Sequence, residues 1–433
     1  MSALARYFNS RGNRVLGYDR VLSPLCVQLK EEGMDIHTDD LAQGVSKFGC
    51  TPEDTLVIAT PAVPDDHGEK SYFRSKGFNI LKRSELLGLL TAEMKGLTVA
   101  GTHGKTTTST MLAHVLKGSA KRTSAFMGGI SSNYGTNLLV EEDSDYVVIE
   151  ADEFDRSFLH LQPFATIVTS TDADHLDIYK NKQDLVDAFQ EFVGLVSKDG
   201  FVVKHVNADV QPDARTLTYA IDQDSDYKAS NLRTEEGYFV MDVSTPNGKW
   251  NDLILGLPGI HNAENALGVL ALLDQLNVSE ENIRKGLRSF LGVKRRFEYQ
   301  IRRDDLIYID DYAHHPTAIE QLLKSVRMMY PDKKVTAVFQ PHLFSRTSDF
   351  MDEFAATLSL ADETILMPIY PAREKPMEGI TSNELASRMT NEVLVLEASK
   401  VIDHLKRKDL EVLLTIGAGD IDRIVEPLKA ELS

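Results

Sequence analysis

At 433 residues the chain is long enough for about three domains of ~150 residues each, which excludes a single small module. Hydrophobic residues make up 42% and charged residues 26%, with no Pro, Gly or Ser tract, so collagenous, low-complexity and disordered classes fall away. Acidic residues number 65 against 47 basic ones, and a net charge of −18 repels a phosphate backbone, which argues against nucleic acid as a partner.

Two cysteines, Cys26 and Cys50, cannot make a disulfide framework and lack a second pair for zinc, so a reducing, cytoplasmic setting is expected. Apolar stretches such as residues 267–273 stop well short of the ~20 residues a membrane helix needs. Arg6, Asn9, Arg11 and Arg14 break any signal-peptide core. No membrane partner is expected.

In chain order, residues 1–12 read as a helix closed by Gly12, and apolar runs at 15–19 and 55–60, with helical stretches between, read as alternating α/β. A second region opens near residue 96 with LTVAGTHGKTTTSTMLAHVL, a buried strand, a glycine turn and a helix, followed by the strands YVVIE and ATIVTS. After Phe297 the alternation resumes with LIYIDDY, KVTAVFQP, ETILMPIY and EVLLTIGAG as strands and helices over 317–329 and 421–432. The expectation is an α/β protein of three domains. Residues 1–93 form a Rossmann-like domain whose first strand is missing, 94–294 a central P-loop ATPase-like domain, and 295–433 a C-terminal Rossmann-like domain.

Residues 101–107 lie between a strand and a helix, where backbone N–H groups, the helix dipole and Lys105 converge on an anion. The spacing GxxxxGK[ST] would need glycine at Val99, so a shorter loop of Gly101, Thr102, His103, Gly104, Lys105, Thr106 and Thr107 stands in its place. Its expected guest is ATP, with Lys105 against the β and γ phosphates and the Thr106 hydroxyl on Mg²⁺. That ion also needs a carboxylate. Glu150 offers one at the end of YVVIE, the rim where open α/β sheets place ligands. The run Glu150, Asp152, Glu153 and Asp155 reads equally as a solvated acidic turn. His175, in DADHLD, is a candidate second metal ligand at the same rim, with a structural histidine as the alternative.

Taken in order, GTHGKTTT, EADE, DADHLD, GIHNAENA, GVKRRFE, DDYAHHP and FQPHLFSRT resemble the Mur ligase family over residues 1 to about 380. The resemblance implies an N-terminal domain for a UDP-sugar, a central ATPase domain, and a C-terminal domain that binds an amino acid and closes on ATP. It implies that the lactyl carboxylate of UDP-N-acetylmuramate attacks the γ-phosphoryl group, helped by Lys105 and a pair of Mg²⁺ ions. The amine of L-alanine would then displace phosphate from the acyl phosphate. This is an early cytoplasmic step of peptidoglycan synthesis.

By the family pattern Thr106 and Glu150 hold one Mg²⁺ and His175 the other, while His261, Asn262 and Asn265 face the adenine. Asn262 reads alternatively as the N-cap of a helix over 263–273. Arg296 resembles an arginine that approaches the phosphates, with Lys294 and Arg295 as ordinary solvated charges beside it. Asp311 corresponds to an acid that orients the nucleotide. Tyr312 and His314 line the alanine side, and His342 and Arg346 are candidates for its carboxylate, which an arginine fork pairs bidentately.

Three departures stand out. Several relatives carry Arg at Leu343, so carboxylate recognition is expected to rest on Arg346. Later-acting members place a carbamylated lysine fifteen positions after the metal histidine; here Gln190 stands there, which favours the alanine-adding branch. Members also open with a strand and a glycine loop that cradles the diphosphate, whereas this sequence starts inside the first helix. Intact ATP binding with weak UDP-N-acetylmuramate binding is therefore expected. Asp19 and Asn137 are the remaining candidates for the sugar nucleotide, although both also read as turn chemistry. The alternatives are a recycling ligase that attaches a tripeptide, a folylpolyglutamate-type ligase, and a P-loop module without ligase activity, which would leave KRRF, DDYAHHP and QPHLFSRT without a role.

Overall fold

The structure, a computed structural model, describes residues 1–60, 62–172, 179 and 181–433. It divides into two units: Met1–Ile130, Gly135–Lys228 and Leu267–Ile283 form the first, and Ser131–Tyr134, Ala229–Ala266 and Arg284–Ser433 the second.

The first unit is built on parallel strands, of which Ala165–Val168 is buried throughout and Lys95–Ala100 and Tyr146–Glu150 over most of their length, as strands covered on both faces are. Lys95–Ala100 lies between Tyr146–Glu150 and Ala165–Val168. Thr123–Phe126 extends the sheet beyond Tyr146–Glu150, and Phe201–His205 with Arg215–Ile221 extends it beyond Ala165–Val168. The last two strands continue the α/β pattern past the segments singled out by sequence. Register sets Val99 beside Glu150 and Ala100 beside Val168, so their C-terminal ends form one rim. Helix Lys105–Lys117 starts at that rim. Its threonine-rich first turns have poor intrinsic propensity, and the burial of residues from Thr107 to Leu116 is what holds it.

The N-terminal region follows the expected α/β pattern, with its short strands in parallel pairs. Among the described residues Leu16–Tyr18 pairs with Asp35–His37, and Val57–Ala59 with Ile80–Lys82, as two separate parallel pairs. Among the described residues no strand bridges Leu16–Tyr18 and Val57–Ala59, which leaves each with an open edge. Helix Ser2–Ser10 forms as expected, and its Ala3, Leu4 and Tyr7 pack with Leu86, Phe126 and Leu138 in the larger core.

In the second unit a six-stranded sheet runs in the order Glu298–Arg302, Ile307–Asp311, Val412–Ile416, Val335–Phe339, Glu363–Leu366 and Glu392–Val395. All pairs are parallel except the first, which is antiparallel. Asp311 and Phe339 both register with Ile416, so the loops after these three strands emerge side by side at the carboxyl edge. A hairpin, Tyr238–Thr245 with Gly248–Leu255, also belongs to this unit. Among the described residues no helix is long and apolar enough to cross a membrane.

Candidate active site

The phosphate loop is pinned to the next strand end. Thr102 N–H donates to Ser170 O (3.2 Å), His103 N–H to Ser170 Oγ (3.1 Å), and Thr169 Oγ to His103 O (2.5 Å). Gly101 has φ +133°, and a Cβ there would lie 2.0 Å from Thr169 Oγ1, so only glycine fits. Gly104, with φ 79°, turns the chain into helix Lys105–Lys117, whose first N–H groups have no acceptor within the helix. Thr107 faces inward and is buried, and His103 is half exposed near Asp172 (3.7 Å).

Lys105 Nζ donates to Gly101 O and to Glu153 Oε1, both at 2.8 Å. Its side chain is 12% exposed and that of Glu153 0%. Glu153 is therefore no part of a solvated acidic turn: it is the buried counter-charge of the loop lysine, and Tyr179 Oη donates to its backbone carbonyl (2.6 Å). Thr106 Oγ1 donates to Glu150 Oε1 at 3.1 Å. A Cβ at residue 128 would overlap Glu150 Oε2 at 1.9 Å, so Gly128 keeps the space beside that carboxylate. A hydroxyl and a carboxylate side by side suit Mg²⁺, which takes few protein oxygens and completes its shell with phosphate and water. His175 lies outside the described residues.

In the N-terminal region an open cleft of about 710 Å³ is lined by Thr60, Lys70, Arg74, Lys82, Asp65 and Asp155, among others. Neither sequence candidate for the sugar nucleotide lines it. Asp19 is exposed and accepts from Val21 N–H (3.1 Å); Asn137 Nδ2 donates to Ser2 Oγ (3.2 Å), leaving its buried Oδ1 without a partner.

The second unit gathers another set. Among the described residues His261 Nδ1 and Asn265 Nδ2 are buried polar atoms with no hydrogen-bond partner, a ring nitrogen and a donor that a purine edge would satisfy. Burial holds the His261 imidazole below its usual range; Asp311 and Glu264 oppose this and Arg296 adds to it. Asn262 is not the N-cap: the helix runs Ile260–Gln275, and Asn262 Nδ2 donates to Pro258 O (2.6 Å), closing the turn before it.

Asp311, 8% exposed, accepts from Phe297 N–H and Ala313 N–H, both at 2.7 Å. It thereby ties the KRRF turn to the DDYAHHP loop. Arg295 is not a solvated charge either. Its Nε meets the buried Asp310 carboxylate (3.3 Å), its Nη2 donates to Gly417 O (2.6 Å), and its carbonyl accepts from Tyr312 N–H (2.7 Å). Arg296 projects over the Tyr312 ring, 5.0 Å from its centroid.

Tyr312, His314, His342 and Arg346 do converge. The rings of Tyr312 and His314 are 5.4 Å apart, those of His314 and His342 6.1 Å, and Arg346 Nη1 is 3.5 Å from His342 Nδ1. Burial pushes His314 down to about 4, with the Arg346, Arg296 and His342 charges acting in the same direction against its bond to Tyr312 O. The neutral ring donates through Nδ1 to that carbonyl and keeps Nε2 as an acceptor.

Residues 1–95 match the Mur ligase family catalytic domain, 99–273 the Mur ligase middle domain, and 295–421 the Mur ligase glutamate ligase domain. The chain belongs to the Mur ligase family. This Mur ligase is 47% identical to UDP-N-acetylmuramate–L-alanine ligase of Phocaeicola vulgatus, over 98% of this chain and 94% of that one. It is 46% identical to the enzyme of the same name from Cytophaga hutchinsonii, over 99% and 94%. The solved UDP-N-acetylmuramate–alanine ligase of Thermotoga maritima is similar with a TM-score of 0.83 at 28% identity, covering 100% of this chain and 96% of that one. A murein peptide ligase of Psychrobacter arcticus shares the fold with a TM-score of 0.67 at 24% identity, covering 100% and 96%.

In this Mur ligase Gln190, at the position of the carbamylated lysine, donates through Nε2 to Gln211 O (2.9 Å) and accepts from Gln211 N–H (2.8 Å). Its amide is consumed by the backbone. Glu153 and Arg295 were findable only as acids and bases next to motif residues; what separates them from solvated neighbours is burial, which no local spacing encodes.

Proposed function

We propose that this Mur ligase joins L-alanine to the lactyl carboxylate of UDP-N-acetylmuramate with ATP, through an acyl phosphate, in the cytoplasm. The observation that carries it is the loop in which Lys105 bonds to Gly101 O and Glu153 and the adjoining Thr106 hydroxyl to Glu150, in a chain 44–47% identical to alanine-adding ligases along nearly its whole length. We assign residues 1–93 to the sugar nucleotide, 94–294 to ATP and 295–433 to the amino acid. The cleft with Lys70, Arg74 and Lys82, cations paired there with Asp65 and Asp155, suits the sugar nucleotide by size.

Lys105, already fixed by Gly101 O and Glu153, has an N–H left for the transferring phosphoryl group. Its charge offsets the negative charge that repels an attacking carboxylate. Mg²⁺, when held by Thr106 and Glu150, supplies further neutralisation of the phosphates; a second ion would fall to His175. His261 and Asn265 take the adenine, Arg296 the phosphates, and Asp311 acts by fixing the turn that carries Arg296. Arg346 and His342 hold the amino-acid carboxylate, and Nε2 of neutral His314 accepts an N–H of the amine.

The test is phosphate release from ATP with substrates omitted one at a time. Release should require both UDP-N-acetylmuramate and L-alanine. Release at the same rate without either would remove the ligase reading, and a tripeptide outperforming L-alanine would replace it with the recycling ligase.

A further inference from the structure

Leu343 departs from ordinary backbone geometry next to the amino-acid loops. Its φ of 71° and ψ of 137° put a residue with a Cβ in a region that only strong surrounding constraints maintain. Thr347, through its N–H and hydroxyl, holds the Leu343 carbonyl (3.1 and 2.7 Å), and the remaining constraints come from residues 370–374.

Tyr370 grips the turn from both sides: its N–H donates to Pro341 O (2.8 Å) and its carbonyl accepts from Leu343 N–H (2.9 Å). The Tyr370 ring lies nearly parallel to that of His342, 17° between planes and 5.7 Å between centroids. Behind it Gly419 packs so closely that a Cβ there would meet Tyr370 Cβ at 2.7 Å. Four residues on, the Glu374 carboxylate accepts from Ser345 Oγ (2.5 Å) and Ser345 N–H (3.0 Å). Burial alone would raise the Glu374 carboxyl, yet these bonds hold it below its usual range. His342 and Arg346 therefore stand on a strained turn that is clamped before and after Leu343.

We propose that Tyr370 and Glu374 are positioning residues for amino-acid recognition, holding the turn at Leu343 so that His342 and Arg346 meet the incoming carboxylate from fixed directions. This rests on the assignment of His342 and Arg346 above. With leucine at 343 the turn offers a single guanidinium, and a bidentate fork tolerates little angular error, so bracing sets affinity.

Steady-state kinetics with L-alanine and ATP varied separately tests it. Glu374→Ala and Tyr370→Ala should each raise KM for L-alanine by about tenfold or more, with kcat at saturating L-alanine and KM for ATP within about twofold of the unaltered enzyme. Tyr370→Phe, which unlike the alanine variant keeps the ring stacked on His342, should leave KM for L-alanine unchanged. Should Glu374→Ala fail to fold, Glu374→Gln, which keeps the shape and weakens the charge-assisted bonds, carries the same comparison. Arg346→Ala separates the two claims. If it raises KM for L-alanine while the Tyr370 and Glu374 variants do not, the bracing role is wrong. If Arg346→Ala has no effect, the pocket assignment fails and the proposal fails with it. Equal rises in KM for ATP and L-alanine would indicate general damage and also overturn it.

Discussion

Lys105 and Glu153 change what a single substitution means. From the motif alone Lys105 is a catalytic cation whose loss leaves the fold intact. The structure gives it a fully buried carboxylate partner at 2.8 Å. Removing one member of a buried pair withdraws the attraction that offset its partner's desolvation, at a cost of up to about 3–5 kcal/mol. Lys105→Ala should therefore lower turnover by ~10² to 10³ or more and also lower the urea midpoint of unfolding. Adding Glu153→Gln removes the buried negative charge, so the double variant should recover part of the stability and none of the activity. Urea titrations of the wild type, the single and the double variants decide this. A single variant as stable as wild type would show that Glu153 is not compensated by Lys105.

The strand Ile307–Asp311 and the loop after it hold two titrating groups whose effects oppose each other. Burial raises Asp310 from its ordinary 3.8 to about 6, against its bonds from Thr415 and Arg295. The folded protein thus binds that proton more tightly, and this contribution to stability, full below pH 3.8, is lost as pH rises through about 6. His314 is lowered from 6.5 to about 4, so its contribution is present above pH 6.5 and is lost as pH falls towards about 4. Over this window the two slopes partly cancel. His314→Gln should make stability fall more with rising pH than in wild type, and Asp310→Asn should make it rise more. Unfolding midpoints at pH 4.5 and 6.5 check the signs; identical pH dependence in all three proteins would refute the opposition. These elements also mark how much the sequence discloses. The strands LIYIDDY and KVTAVFQP, the phosphate loop and the convergence of Tyr312, His314, His342 and Arg346 are legible, because apolar runs and motif order encode them. Tyr370 and Glu374 are not, because the Tyr370 backbone bonds and ring stack and the Glu374 carboxylate bonds are made across loops distant in sequence. Nor are Arg295 and Glu153, whose roles depend on burial by other elements.

Across the whole molecule the strands are unequal in support. Lys95–Ala100 has a parallel neighbour on each side, and Leu97, Val99 and Ala100 are fully buried. In the N-terminal region each described strand is three residues long, and Leu16–Tyr18 and Val57–Ala59 each have one neighbour. The core beneath the first pair is small: Cys26, Leu29, Met34 and Ile36, with Ala5 and Val15 against it. Regions with few buried apolar contacts and half-paired strands open at lower free energy than the global transition. Amides of residues 16–18, 35–37, 57–59 and 80–82 should therefore exchange with solvent at least about tenfold faster than those of residues 97–100, after correction for intrinsic rates. A ligand that binds the closed form stabilises it by mass action, so saturating UDP-N-acetylmuramate should slow exchange in the first set before it affects the second. Hydrogen exchange read by mass spectrometry resolves these segments. Equal protection in the free protein would mean that the two strand pairs open only with the central sheet, and protection by ATP alone but not by the sugar nucleotide would remove the substrate from this region.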